Sequence, residues 1–251
     1  MLEVKLSSAE YWSACVQSIV NIVDEGSFIF GKDGVSLRAM DRSATSMVSF
    51  FMPKSSFITY NVADEHLNAK IGLNLDNLSK ILKRARKEEQ LIIKNEENKL
   101  ALEFINNKSR RKYALPLIEA ATDANKEPSF EFTAVIEIDP YAFREMLKDA
   151  ETISEIITLD INKESLSLLS KGDSGDLEEV HTADTEYIKS LNVKERARST
   201  FKLEMLSSMV SSAPKDSILK LSLSKDSPIR IDYNIGEAQI SYYLANYGEE
   251  Y

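Results

Sequence analysis

The chain has 251 residues, of which 28% are charged and 43% are apolar, and its formal net charge is -9 at pH 7. This composition is typical of an ordinary globular protein and argues against a disordered or low-complexity chain. The net negative charge argues, on its face, against nucleic acid as a partner, because a DNA-binding domain usually carries a basic footprint.

The N-terminal region and the single cysteine indicate the compartment. No window approaches the roughly 20 consecutive apolar residues that a membrane helix needs, and the first residues lack an apolar run behind a basic start. We therefore expect no membrane contact and a cytoplasmic location. Cys15 is the only cysteine, which excludes an intrachain disulfide and fits a reducing compartment. We expect it to be a buried apolar filler of the first helix.

The predicted elements occur twice in the same order, at an offset of about 130 residues. In each half a strand leads to an amphipathic helix, then to a strand pair, a second helix and further strands. The predicted helices are Ser8 to Asp24, Asn74 to Lys87, Asp139 to Glu155 and Lys202 to Ser212. The duplication predicts an α+β fold of two similar domains.

The boundary between the halves lies in a polar segment. Residues 119–129 contain no large apolar side chain, and their Asp, Asn and Pro favour an exposed, extended connection. We predict an N-terminal domain over residues 1–118, a linker over 119–129 and a C-terminal domain over 130–251.

The second predicted helix is strongly basic. Residues 77–87 contain five basic residues and no acid. Four of them have the spacing i, i+3, i+4, i+7 and would share one helical face: Lys80, Lys83, Arg84 and Lys87. Like charges at this spacing repel, so the stripe costs the helix stability unless an anion lies opposite. The plain alternative is a solvated face that happens to be basic. The third helix repeats the pattern weakly with Arg144 and Lys148, which neighbouring acids dilute.

Two predicted strands carry opposite charge. Residues 108–115 are basic and residues 172–182 are acidic. If both are edge strands, the basic edge of one copy can pair with the acidic edge of the next, a head-to-tail contact that closes into a ring when the rotation permits. The alternative is that the charges only protect each edge against aggregation. The candidate interface residues are Arg110, Arg111, Lys112, Tyr113, Asp176, Leu177, Glu178 and Val180.

The sequence nominates no catalytic, metal or cofactor site. The two histidines are far apart, no cysteine pair exists, and no glycine-rich phosphate loop is present. The segment Gly31 to Gly34 is instead predicted to be a hairpin turn. We therefore expect a protein that is not an enzyme.

Four segments together resemble signature stretches of the proliferating cell nuclear antigen family, in particular its archaeal form, the DNA polymerase sliding clamp. They are Gly34 to Asp41, Asn77 to Lys83, Leu115 to Ile118 and Tyr242 to Ala245. The resemblance implies a DNA clamp fold in which each domain packs two helices on antiparallel sheets. It also implies a trimeric ring around duplex DNA, with helices inside and sheets outside.

The resemblance implies the partners as well. They are double-stranded DNA without sequence preference, DNA polymerase, the clamp loader replication factor C, flap endonuclease, DNA ligase and other PIP-box proteins. The DNA-facing residues would be Lys80, Lys83, Arg84, Lys87, Arg144 and Lys148. Because the first helix has no basic residue and the fourth has few, DNA contact should be lopsided toward the second helix.

Client peptides of this family bind an apolar pocket beside the linker. The resemblance assigns the pocket to Met40, Ala44, Thr45, Pro228, Tyr243, Leu244 and Ala245. In the strand that contains Tyr242 and Tyr243 we expect one ring to point inward and the other outward.

Two alternatives to a homotrimeric clamp stay open. The chain can be a distinct subunit of a heterotrimeric or checkpoint-type clamp. From another class, it can be a monomeric α+β enzyme whose basic helix binds a phosphorylated small molecule.

Overall fold

The computed structural model describes residues 2–119, 123–124, 126–173 and 175–248. The chain divides into two compact units. The first contains Met1–Ala44, Val48–Glu127 and Ile235–Ile240, and the second contains Thr45–Met47, Pro128–Asn234 and Ser241–Tyr251. Each unit thus takes most of its residues from one half of the sequence.

The first half of the described chain forms two α-helices and nine strands. The helices are α1 (Ala9–Val20) and α2 (Leu75–Leu82). The strands are β1 (Leu2–Leu6), β2 (Glu25–Phe30), β3 (Gly34–Met40), β4 (Ser46–Pro53), β5 (Thr59–Val62), β6 (Lys70–Asn74), β7 (Gln90–Glu96), β8 (Lys99–Ile105) and β9 (Arg110–Pro116).

The second half of the described chain forms the same set. The helices are α3 (Pro140–Glu151) and α4 (Leu203–Val210). The strands are β10 (Ala134–Ile138), β11 (Ile156–Ile161), β12 (Ser165–Gly172), β13 (Gly175–Thr182), β14 (Ile188–Val193), β15 (Ala197–Lys202), β16 (Leu219–Leu223), β17 (Ile229–Ile235) and β18 (Ala238–Leu244).

The order of elements confirms the predicted duplication. Each half runs strand, helix, five strands, helix, three strands. The strands of the first half have the neighbour orders β5-β1-β7-β8-β9 and β4-β3-β2-β6, and those of the second half have the orders β14-β10-β16-β17-β18 and β13-β12-β11-β15. These orders are identical once β1 is matched with β10 and β4 with β13. All strand pairs with a described register are antiparallel, which confirms the predicted fold class.

Side-chain caps fix where three of the helices begin. Ser8, Asn74 and Asp139 each accept a hydrogen bond from the backbone N–H three residues further on. A cap of this kind stabilises a helix by about 1 kcal/mol. The N-terminal ends of these helices therefore match the sequence prediction, whereas all four helices end earlier than predicted.

Each unit has its own apolar core between helices and strands. In the first unit, α1 packs against α2, and the indole of Trp12 lies 5.3 Å from the ring of Phe28 and 6.1 Å from that of Phe50. Cys15, on the same helix as Trp12, is fully buried, as predicted. In the second unit, α3 packs against α4, with Phe143 among the fully buried residues.

The turn predicted at Gly31 to Gly34 joins β2 and β3. The N–H of Gly31 donates to the carbonyl of Gly34 over 2.8 Å. Gly34 has a φ of 153°, and a Cβ there would lie 2.1 Å from the carbonyl oxygen of Met52, so a larger residue would collide with β4. This hairpin confirms the predicted turn.

The predicted linker, residues 119–129, is described only in part, since residues 120–122 and 125 lie outside the described residues. Asp123 is held by the first unit. Its carboxylate accepts a hydrogen bond from the N–H of Ser27 at 2.9 Å and lies 3.2 Å from the ammonium of Lys70. The boundaries of the linker and of the two domains stay a prediction.

Candidate nucleic-acid interface

The basic segment after α2 does not continue as a helix. Helix α2 ends at Leu82 with Lys83 as its C-cap, so of the four residues predicted to share a helical face only Lys80 lies within the helix. Arg84 lies in a tight turn and Lys87 in the loop before β7. The prediction of a continuous helical stripe is therefore wrong, although the charges remain close in sequence and exposed.

A buried ion pair explains why the helix stops. The carboxylate of Glu89 is 0% exposed and lies 2.6 Å from the guanidinium of Arg111 on β9. The same guanidinium donates to the backbone carbonyl of Arg84 over 3.0 Å. In a longer helix that carbonyl would accept from the N–H of Glu88. Instead Glu88 takes a left-handed φ of 65°, and the chain turns back toward the sheet.

The segment presents a concentration of cations in an acidic protein. Five exposed basic side chains form this concentration: Lys80, Lys83, Arg84, Arg86 and Lys87. Within the described residues no carboxylate lies within ion-pair distance of any of them. Repulsion among them is relieved when an anion such as phosphate approaches. A cavity of about 410 Å³ lies beside the segment, lined by Lys87, Glu88, Gln90, Ile105, Asn106, Asn107 and Lys108.

The two cations of the second unit that were predicted to contact DNA lie on α3 and are already engaged. Arg144 is half-buried, and its guanidinium donates to the backbone carbonyls of Val210 at 3.0 Å and Ala213 at 2.9 Å, where it caps the end of α4. Lys148 pairs with Glu145 at 2.7 Å, and this hydrogen bond raises the pKa of the Lys148 ammonium. Both residues stay predicted DNA contacts, but Arg144 has a structural role that the sequence pattern did not indicate.

The exposed faces of α1 and α4 offer no compensating charge. On α1 the exposed side chains include Glu10 and Ala14, and on α4 they include Glu204. The basic segment at the end of α2 therefore differs from the other helices in its exposed positive charge more strongly than the sequence pattern indicated.

The two strands of opposite charge both lie at sheet edges. Among the described strands, β9 pairs only with β8 and β13 only with β12. On β13, Asp176 and Glu178 are exposed, and Val180 is 53% exposed. Ser174, which precedes β13 in the sequence, lies outside the described residues.

The charges of β9 already have partners in the same chain. Arg110 pairs with Glu103 at 2.7 Å, and Lys112 with Glu96 at 2.7 Å. Arg111 points to the other face, toward Glu89. A new ion pair with a neighbouring copy would have to replace one of these, so charge would contribute less to pairing than the sequence suggests, and the backbone edge and Tyr113 would contribute more.

The residues assigned to the partner pocket differ in exposure. In the first unit Met40 is half-buried, and Ala44 is exposed with a φ of 56°. In the second unit Thr45 and Ala245 are exposed and Pro228 is half-buried, whereas Leu244 is only 3% exposed. Leu244 is thus a core residue of the second unit.

Both tyrosines of β18 are buried, so neither ring is exposed to solvent, although neighbouring residues of a strand point to opposite faces. Tyr242 is 0% exposed, and its hydroxyl lies 3.0 Å from that of Tyr233. Tyr243 is 5% exposed because two side chains of the same unit cover it. The guanidinium of Arg230 lies 5.5 Å from its ring centroid and the ring of Phe130 lies 6.2 Å away.

Phe130 and Arg230 were not predicted as pocket residues from the sequence. Phe130 follows the predicted linker and remains 42% exposed, and its ring also lies 6.1 Å from that of Phe132. A partly exposed aromatic residue is suited to receive an apolar anchor. The signal available in the sequence was the Phe-Glu-Phe run at residues 130–132.

No helix in the described ranges has the length and apolar character that a membrane crossing requires. The part of the chain described by the structure also shows no group of three or more His, Cys, Asp and Glu side chains placed to hold a metal ion.

Comparison with solved structures supports the fold. PCNA from Thermococcus kodakaraensis superposes with a TM-score of 0.91 at 23% identity, over 98% of this chain and 100% of that one. A structure described as the C-terminal region of FEN-1 bound to A. fulgidus PCNA matches with a TM-score of 0.88 at 25% identity, over 100% of both chains.

Comparison of sequences gives the family. DNA polymerase sliding clamps from Thermofilum pendens and Methanococcus maripaludis are 31% and 33% identical, over 98% and 92% of both chains. The family models for the N-terminal and C-terminal domains of proliferating cell nuclear antigen match residues 1–126 and 126–247. Full-length similarity to sliding clamps shows a sliding-clamp function, and the chain belongs to the proliferating cell nuclear antigen family.

Proposed function

We propose that three copies of this chain close into a ring around duplex DNA, with the last turn of α2 and the segment after it, residues 80–87, facing the phosphates. The observation that carries this proposal is the set of five exposed cations at residues 80–87, which have no acid within ion-pair distance among the described residues of a chain with net charge -9. Cations of this kind attract any phosphate backbone and read no base sequence. The ring therefore slides.

The joint between copies would use the two free sheet edges. Antiparallel or parallel pairing of β9 with β13 of the next copy satisfies the unpaired backbone groups of both edges. Because each copy has one edge of each kind, the contact is head-to-tail and can close into a ring. The interface residues are those predicted on the two strands, with Arg111 excepted, since its guanidinium is engaged with Glu89.

The proposed clients are DNA polymerase, flap endonuclease, DNA ligase and other proteins with a PIP-box, and the proposed loader is replication factor C. The names of the relatives support the polymerase, and a solved relative is described with a FEN-1 C-terminal region bound. The proposed seat for the client peptide comprises the predicted pocket residues, to which we add Phe130. We propose no catalytic activity for the chain and a place of work at chromosomal DNA.

The internal ion pairs of β9 weaken the argument for identical neighbours, and a distinct subunit of a heterotrimer remains the second candidate. One relative, from Aeropyrum pernix, is named DNA polymerase sliding clamp 3 and is 30% identical over 95% of both chains. Solution mass separates the two. A chain of 28.3 kDa that forms a trimer alone supports the homotrimer, whereas a persistent monomer contradicts it.

The experiment that tests the proposed function uses closed circular DNA and a clamp loader. After ATP-driven loading, the protein should co-elute with the circle and leave when one cut linearises the DNA. A protein that remains bound after the cut is held by affinity and not by topology, which would contradict the ring. A protein that is never retained contradicts it as well.

A further inference from the structure

We propose that Arg111 is a positioning residue for DNA binding: its ion pair with the buried carboxylate of Glu89 holds the segment 83–88 in the shape that presents its cations. This inference rests on the proposed DNA contact of that segment. It gives Arg111 a different role from the one its position in a basic edge strand suggests.

Three interactions converge on one pair of side chains. The guanidinium of Arg111 lies 2.6 Å from Oε2 of Glu89 and 3.0 Å from the backbone carbonyl of Arg84. The same Oε2 accepts the backbone N–H of Arg86 over 2.8 Å. The ion pair therefore fixes the backbone of the segment at two points, one on each side of Ala85.

Backbone hydrogen bonds hold the two ends of the segment, from the N–H of Ala85 to the carbonyl of Leu82 and from the N–H of Glu89 to the carbonyl of Arg86, but no buried side chain within it anchors it to the core. The side chains of Lys83, Arg84, Arg86 and Lys87 are exposed and carry like charge, so they repel one another. No residue from 83 to 88 is buried. By contrast, the guanidinium of Arg111 also packs on the ring of Phe104, a residue of the neighbouring strand β8, at 4.9 Å from the ring centroid. Arg111 thus connects the sheet to the basic segment and holds the backbone of the segment in place relative to the sheet.

The chain offers a matched control in the second unit. Arg196 binds the buried carboxylate of Asp160 at 2.9 and 2.6 Å, and it has no part in any proposed site. Arg111→Met and Arg196→Met each remove one guanidinium from a buried carboxylate, although Asp160 keeps Arg198 at 3.7 Å and Glu89 keeps no cation in the described chain. Only the first change releases the segment.

The measurement is the salt dependence of affinity for a short linear duplex, followed by fluorescence anisotropy. For B-DNA each phosphate that the protein neutralises contributes about 0.9 to the slope of log K against log salt. We expect Arg111→Met to reduce the slope by about one to two, and Arg196→Met to leave it at the wild-type value. Arg111→Met leaves the buried carboxylate of Glu89 without its guanidinium partner, which destabilises the fold. The double variant Glu89→Met with Arg111→Met avoids this, because two apolar side chains replace the ion pair. It should show the same reduced slope.

A further variant distinguishes failure of this inference from failure of the proposed function. Lys83→Gln with Arg84→Gln removes two of the cations and keeps the ion pair. If it lowers the slope while the double variant at 89 and 111 retains the wild-type slope, the positioning role of Arg111 is wrong and the DNA contact stands. If it leaves the slope unchanged, the DNA contact itself is wrong and the inference falls with it. An unchanged slope together with loss of the oligomer in the double variant would assign Arg111 to the joint between copies and overturn the inference.

Discussion

The two units share one architecture but use their basic residues differently. In the first unit the cations after α2 are exposed and have no acid partner in the described chain, whereas in the second unit Arg144 caps α4 and Lys148 pairs with Glu145. The same arrangement of helices and strands therefore supports two electrostatic surfaces. The duplicated halves provide a common scaffold, and we propose that a few charged side chains determine which unit attracts DNA.

The largest expected effect concerns Arg144. Replacement by Met removes two charge-assisted hydrogen bonds to the end of α4, and hydrogen bonds to charged groups contribute about 1.5–3 kcal/mol. Because Arg144 is only half-buried, solvent reduces the contribution of the two bonds, and we expect the free energy of unfolding to fall by about 2 kcal/mol in urea denaturation, with Lys148→Met within about 0.5 kcal/mol of the wild type as the control. A stable Arg144→Met variant with strongly weakened DNA binding would instead show that Arg144 serves DNA as the first-unit cations do.

The next effect concerns the first unit. Lys83→Glu with Arg84→Glu should lower affinity for duplex DNA on the order of tenfold at moderate salt, because two phosphate contacts become repulsive. Stimulation of a DNA polymerase should fall in parallel, while the solution mass stays that of the wild type. Unchanged stimulation would contradict a DNA-facing role for this segment.

An added positive charge in the second unit should reduce the difference between the two units in their attraction for DNA. Ser211 is the C-cap of α4, as Lys83 is the C-cap of α2. Ser211→Lys should therefore raise affinity for duplex DNA about threefold, through one added phosphate contact. Ser211→Gln is the uncharged control. An equal effect of both changes would show that the charge at this position does not face DNA.

The smallest effect concerns the reactivity of Cys15, which probes whether the core of the first unit is closed. Burial raises the pKa of the Cys15 thiol to about 12, and its counterpart in the second unit at the repeat offset is Met146. The native protein should not react with a thiol reagent at pH 8, and reaction should begin only when the first unit unfolds. Above the usual thiol pKa of 9.0 only the unfolded chain ionises, so this group makes the first unit less stable as pH rises. Rapid reaction at pH 8 would contradict a closed core.

Local signals in the sequence predicted the scaffold well. The helix beginnings predicted at Ser8, Asn74 and Asp139 are correct, and the structure shows a side-chain cap at each, an interaction between residues only three positions apart. The repeated order of elements gave the two-domain fold, and the glycines at 31 and 34 gave the hairpin.

Contacts between distant residues produced the errors. Helix α2 ends early because Glu89 and Arg111, 22 positions apart, form a buried pair. Arg144 reaches carbonyl groups 66 and 69 residues further along the chain. Tyr243 is covered by Phe130, a residue that is distant from it in the sequence. A pattern with helical or strand periodicity contains no information on such pairings, so the exposure of a charged or aromatic residue was the least predictable property.

The most direct test compares the salt dependence of DNA affinity for two double charge reversals, one in each unit. The first is Lys83→Glu with Arg84→Glu, and the second is Lys148→Glu with Lys202→Glu. We expect a slope reduced by about two for the first pair and a clearly smaller reduction for the second. Equal reductions, or a larger one for the second pair, would contradict the central claim that the first unit supplies the main contact with DNA.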